Sequence, residues 1–226
     1  AKIMLREAAE KLVVYLEERF TPQEPKSIAE TGLDLNFLAD LLLKNLYVRV
    51  SATGAELAEE LGLPFVGVVE QVIEPLRHDH LAEVRGSGTI SSSSYQLAIT
   101  HEGRARAREL MERSQYTGYA PVPLHAYNSA MHLQSLESVT IPEELIRHGL
   151  SHLVFAPRVV MQVGPAFNSG RAIFIHGNPG NGKTALSLAM GDILPGHIYI
   201  PHTISAAGQI IKLFDLNSHR PVTARE

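Results

Sequence analysis

The strongest constraint on this chain is eight residues, Gly177-Asn178-Pro179-Gly180-Asn181-Gly182-Lys183-Thr184, which spell Gly-x-x-x-x-Gly-Lys-Thr. Before them stands Arg171-Ala172-Ile173-Phe174-Ile175-His176, a run with β-branched and aromatic residues that suits a strand buried in a parallel sheet. After them comes Ala185-Leu186-Ser187-Leu188-Ala189-Met190, a strong helix former. Strand, loop and helix thus follow in the order that a phosphate-binding loop requires. Glycines at 177, 180 and 182 let the backbone turn its N–H groups inward with no side chain in the way. A helix opening near Gly182 adds the positive end of its dipole. Lys183 is placed to reach the β- and γ-phosphates as a point charge, and the Thr184 hydroxyl to help hold Mg²⁺. The expected ligand is therefore a nucleoside triphosphate, ATP with Mg²⁺. The plainer reading is a glycine turn that merely joins strand to helix, and the flanking strand and helix patterns weigh against such a chance match.

The form Gly-Asn-Pro-Gly-Asn-Gly-Lys-Thr, with Pro179 before the central Gly180, resembles the loop of the AAA+ ATPase superfamily. Phe167-Asn168-Ser169-Gly170-Arg171 also looks like the approach to a core strand in that superfamily. The resemblance covers about residues 143 to 226. It implies an ATP-driven machine, commonly a homo-oligomeric ring of about six subunits, that remodels a protein or nucleic-acid partner. It places Lys183 and Thr184 on phosphate and Mg²⁺, with the backbone from Pro179 to Gly182 as the cradle. A complete domain of that superfamily carries an acidic Walker B pair, a polar sensor and an arginine finger beyond the loop. The nearest acidic strand here is Ile210-Ile211-Lys212-Leu213-Phe214-Asp215, which Lys212 interrupts and no second carboxylate follows. The expectation is a chain cut within its ATPase domain, with its catalytic residues unassigned.

The rest of the chain must be read against 226 residues, a formal net charge of -4 and 45% hydrophobic content, enough for more than one core. With no cysteine, disulfides and thiolate metal sites are excluded, and no apolar run is long enough to span a bilayer. A cytoplasmic protein without a membrane role is expected. The mildly acidic balance exerts no global pull on nucleic acid.

Residues Lys2 to Phe20 place Leu5, Ala8, Ala9, Leu12, Val13 and Leu16 at helical spacing, and Thr21-Pro22-Gln23-Glu24-Pro25 breaks the pattern. Helices are then expected over Asp34 to Tyr47, Gly54 to Leu61 and Pro64 to Glu74, with Pro75 as a stop. Strands follow over Leu81 to Arg85 and Ser94 to Ile99, joined by a serine-rich tip, and a closing helix runs from Glu102 to Tyr116. That order resembles a winged helix-turn-helix. Ala55-Glu56-Leu57-Ala58-Glu59-Glu60-Leu61-Gly62-Leu63 is similar to its first helix and turn, and Tyr95-Gln96-Leu97-Ala98-Ile99 with Thr100-His101-Glu102-Gly103-Arg104 to its strand-to-helix exit.

The resulting expectation is an α/β chain: an N-terminal helix and linker (1–29), a winged-helix domain (30–116), a connector (117–141) and the start of a P-loop parallel sheet (142–226). The helix from Pro142 to His148 opens the last part, and Arg158 to Val163 is too short to assign. The third helix carries Glu70, Glu74 and Asp79 against Arg77, which suits a protein partner better than a DNA groove. Arg85, Arg104, Arg106 and Arg108 supply scattered positive charge, and the alternative remains a nucleotide-gated DNA-binding regulator. A P-loop kinase or GTPase is a third class, without a specificity motif. His78-Asp79-His80 and Asp215 with His219 match no metal spacing, and no serine elbow or carboxylate pair singles itself out.

Overall fold

A computed structural model describes residues 19–85, 95–135, 140–194 and 197–222. Helix outweighs strand, and the two sheets have three strands each. The chain forms two compact units: Pro22–Asn128 with Ile200–Glu226, and Ala1–Thr21 with Ser129–Tyr199. The expected helix over Lys2 to Phe20 and the serine-rich tip at 86–94 lie outside the described residues, except for Arg19 and Phe20.

The first unit is built around a leucine-rich helix. After a single turn, α1 (Ile28–Thr31), comes α2 (Leu35–Arg49), whose Leu38, Leu41, Leu42, Leu43 and Leu46 are each at most 1% exposed. Asp34 caps α2 by accepting from the N–H groups of Asn36 (2.8 Å) and Phe37 (3.4 Å). A short strand that the sequence reading lacks, β1 (Ser51–Thr53), leads into α3 (Gly54–Leu61). Thr53 and Glu56 form a reciprocal capping box there.

The third expected helix is displaced toward the C-terminus. Val66 is extended and Gly67 sits at φ 81°, so the chain kinks, and α4 runs over Glu70–His78 with Pro75 inside it. Only glycine fits the kink, because a Cβ on residue 67 would lie 2.5 Å from the Lys26 carbonyl oxygen. An interior proline costs roughly 3 kcal/mol. Val72, Ile73 and Leu76, all at most 3% exposed, hold the helix through it.

Next come β2 (Ala82–Arg85), β3 (Gln96–Ile99) and α5 (His101–Arg113). β3 lies between β1 and β2, antiparallel to both, with Leu97 opposite Ala52 on one side and Val84 on the other.

The segment after α5 is docked onto this core by polar groups. Asn45, 3% exposed, grips Gly118 by both edges: its Nδ2 donates to the Gly118 carbonyl (3.2 Å) and its Oδ1 accepts from the Gly118 N–H (2.7 Å). Lys44 donates from Nζ to the Ser114 carbonyl (3.2 Å), and burial pushes its ammonium below the ordinary lysine range against the opposing pull of Asp40. Beyond it, β4 (Val122–Pro123) pairs in parallel with β5 (Thr203–Ala206), which turns back through Ala207 and Gly208 into β6 (Gln209–Lys212). Positive φ at both Ala207 (50°) and Gly208 (76°) matches the twist of a two-residue hairpin. His202, just before β5, is stacked on Tyr119 at 3.8 Å and lies 4.4 Å from the Phe214 ring.

Replacing Asn45 with alanine removes the side-chain partners of the N–H and C=O of half-buried Gly118. The expected destabilisation is about 1–3 kcal/mol in urea unfolding, and an unchanged midpoint would contradict the docking role.

Candidate functional site

The second unit carries the glycine loop. Its core joins Ile141, Ile146, Leu150, Val163, Leu186, Ala189 and Met190, contributed by α7 (Glu143–Gly149), α8 (Pro157–Phe167) and α9 (Lys183–Ile193). α8 settles the short run Arg158 to Val163 as helix. Asn168, in the segment read as an approach to a strand, bridges both backbone groups of Ile141: it accepts from the N–H (2.8 Å) and donates to the carbonyl (3.0 Å). The helix α6 (Leu124–Leu133), also unforeseen, ends beside Gln134. The Gln134 side chain in turn holds Tyr199 by its carbonyl (3.0 Å) and its N–H (2.6 Å).

One expectation is corrected. Arg171 to His176 forms no strand, with Phe174 86% and Ile173 41% exposed. A parallel strand takes its ladder bonds from neighbouring strands. Among the described residues of this unit no segment pairs with it, so its apolar side chains stay uncovered apart from Ile175, which packs on the core. Among the described residues the one parallel pair, β4 with β5, belongs to the other unit.

The loop itself has the backbone that its glycines permit. Gly177, Gly180 and Gly182 all have positive φ, at 148°, 84° and 72°. Nothing lies within 4 Å of a Cβ built on Gly177 or Gly180, so the space beside these two glycines is open. Gly182 is the N-cap of α9 and provides no side chain to occupy the first-turn N–H groups. The five non-glycine positions are Asn178, Pro179 and Asn181, exposed between the glycines, and Lys183 and Thr184 in the first turn of the helix. Lys183 folds back over the loop, its Nζ donating to the carbonyls of Gly177 (2.9 Å) and Asn178 (2.8 Å). The helix is seated by Leu186, Ala189 and Met190, all at most 7% exposed, and Phe155 packs 3.2 Å from where a Cβ of Gly182 would stand.

This arrangement suits an anion. Helix N-terminal amides that no side chain caps, an open glycine backbone and the Lys183 ammonium occur together in this loop. Lys183 in this state satisfies itself with carbonyl oxygens. A bound phosphate offers it an anionic acceptor in exchange, which adds attraction between opposite charges to the hydrogen bond.

Asp215, the nearest acidic candidate by sequence, has another task. β6 is antiparallel and ends before it, and its carboxylate accepts from the Asn217 N–H (3.0 Å) and from the Asn217 and Ser218 side chains. The Asn217 N–H above all holds this carboxyl below the usual carboxylate range. Asp215 also lies in the first unit, whereas the loop lies in the second. His219 accepts from the Asp215 N–H (2.9 Å), closing the same turn, and His78 contacts Asp79 at 2.9 Å on an exposed surface. Among the described residues no group of three metal-ligating side chains assembles, and no helix is long and apolar enough to cross a membrane.

Comparison with known proteins found no matching family model, no similar curated protein and no similar solved structure.

The Lys183 bonds to Gly177 and Asn178 close the loop on itself. Lys183→Ala is expected to speed amide exchange across Gly177 to Gly182 severalfold while the helical circular dichroism stays unchanged. Unaltered exchange would show that the lysine does not hold the loop.

Proposed function

We propose that the chain binds a nucleoside triphosphate, ATP with Mg²⁺, at Gly177-Asn178-Pro179-Gly180-Asn181-Gly182-Lys183-Thr184. The observation that carries this reading is the open glycine backbone leading into an α9 N-terminus that no side chain caps, with the Lys183 ammonium folded over it. Backbone N–H groups from Pro179's neighbours to Gly182 receive phosphate oxygens, Lys183 exchanges its two carbonyl partners for the terminal phosphates, and the first-turn hydroxyl of Thr184 helps hold the metal. Mg²⁺ supplies charge neutralisation between phosphates when bound.

The wider role is that of an AAA+-type ATPase, with hydrolysis coupled to remodelling of a partner and self-assembly into a ring. The loop wording supports it. For the first unit we favour a winged helix-turn-helix that meets a protein. Its helices and the β1-β3-β2 order support that topology. Its charges support a protein partner over DNA: Arg77 pairs with Glu74 (2.9 Å), Arg85 with Glu83 (2.9 Å), and Arg106 with both Asp40 (3.7 Å) and Glu109 (3.2 Å). Cations already engaged by carboxylates release few counterions from a nucleic acid.

Titration calorimetry with MgATP tests the binding claim. The unaltered chain is expected to give a saturable heat, and Lys183→Ala to weaken affinity by about a hundredfold, or ~2.7 kcal/mol. Equal affinity in the two proteins would remove Lys183 from the site.

A further inference from the structure

We infer that Asn181 is a self-modifying site: the backbone nitrogen of Gly182 displaces its side-chain amide, and the carboxylate that results lowers the loop's hold on phosphate unless nucleotide already occupies it. The effect on binding rests on the nucleotide-binding reading above, whereas the chemical step does not. An asparagine loses its side-chain amide when the nitrogen of the following residue attacks Cγ. The step needs a free carboxamide, a free N–H after it and no side chain crowding that N–H. Glycine as the following residue meets the last condition.

Of the seven asparagines in the chain, Asn181 alone precedes a glycine, and it alone meets the other two conditions as well. Asn181 is exposed, and its carboxamide makes no hydrogen bond among the described residues. The Gly182 N–H has no acceptor there either. Gly182 is the N-cap of α9, where the positive end of the helix dipole favours the amide anion that attacks. Every other asparagine is held or blocked. Asn178 precedes Pro179, which has no N–H. The Phe37 N–H after Asn36 donates to Asp34, Asn45 grips Gly118, and Asn128 lies within α6, whose ladder engages the N–H that follows. Asn168 is bonded to both backbone groups of Ile141, and Asn217 to Asp215.

Water is the only co-reactant. Hydroxide takes the proton from the Gly182 nitrogen, the N–Cγ bond forms, the Cγ–Nδ2 bond breaks, and ammonia leaves with a proton from water. The cyclic succinimide so formed adds water at one of its two carbonyls. Opening at the side-chain carbonyl restores the original main chain with aspartate at position 181. Opening at the backbone carbonyl routes the main chain through the side-chain carbons as isoaspartate. Either product sets a carboxylate one residue before the α9 N-cap, where it repels phosphate and competes for the uncapped amides. A bound phosphate accepts from the Gly182 N–H and so withdraws the nucleophile. The reaction therefore runs in the empty loop and stalls in the filled one.

Peptide mapping by mass spectrometry provides the test, on the whole chain incubated for days in mildly alkaline buffer with and without a Mg²⁺-bound non-hydrolysable ATP analogue, with calorimetry on the same samples. Expected is a mass gain of about one dalton, split between aspartate and isoaspartate peptides, that appears at Asn181 about tenfold faster than at Asn168 or Asn217. The analogue is expected to slow it about threefold or more. Binding capacity should fall in step with the converted fraction, and Asn181→Asp, which carries the first product from the start, should bind about tenfold more weakly than the fresh chain. Conversion at Asn181 no faster than at Asn168 or Asn217 overturns the site. Conversion that leaves binding undiminished, or that keeps its rate with the analogue bound, overturns its effect on the loop. A fresh chain that gives no binding heat overturns the loop reading and the protection by nucleotide, while the rate at Asn181 still decides the site.

Discussion

A glycine-rich loop has no rigidity of its own, since glycines gain their freedom by giving up side-chain packing, and so its geometry depends on what seats the helix behind it. Here that seat is the buried face of α9. Leu186, Ala189 and Met190 pack with Ile146, Leu150 and Val163, and the helix axis so fixed determines where the first-turn N–H groups point. Gly182 in the left-handed region then lets the chain enter the helix without a capping side chain, and Phe155 beside it limits how far the turn can shift. Lys183 completes the loop by bonding its carbonyls. Site geometry is thus a consequence of apolar burial on one side of a single helix, with the uncapped amides at its N-terminus.

The first unit obeys a complementary rule. Its leucine core is nearly closed around α2, and irregular chain is laid against it by polar groups that satisfy otherwise stranded backbone atoms. Asn45 does this for Gly118 and Lys44 for Ser114, while Tyr116 donates to the Tyr119 carbonyl (2.7 Å). Gln134 and Asn168 repeat the device in the second unit. Buried backbone must find partners, and where no strand supplies them an amide side chain can present both a donor and an acceptor.

Much of the local structure was legible in the sequence. Gly54 to Leu61 forms the helix its pattern announces, since Thr53 and Glu56 spell its start and Gly62 its end. The loop's glycines announce their own conformations. The kink at Gly67 and the survival of α4 past Pro75 were not legible, because both follow from tertiary contact: the Lys26 carbonyl against residue 67, and the burial of Val72, Ile73 and Leu76. α6 lacks strong periodicity, and the pairing of Val122 with Ile204 joins residues too distant for any local signal. The failed strand at Arg171 to His176 teaches the same lesson in reverse. β-propensity describes fitness for a sheet, and a sheet is made by neighbours.

The central claim is that phosphate meets the chain at the backbone of the glycine loop, with Lys183 changing partners. Amide chemical shifts in a nitrogen-15 correlation spectrum, recorded as the Mg²⁺-bound ATP analogue is added, observe that backbone directly. The account predicts that the largest shifts fall on Gly180, Asn181, Gly182, Lys183 and Thr184. The largest shifts elsewhere in the chain, with these five amides unmoved at saturation, would contradict it.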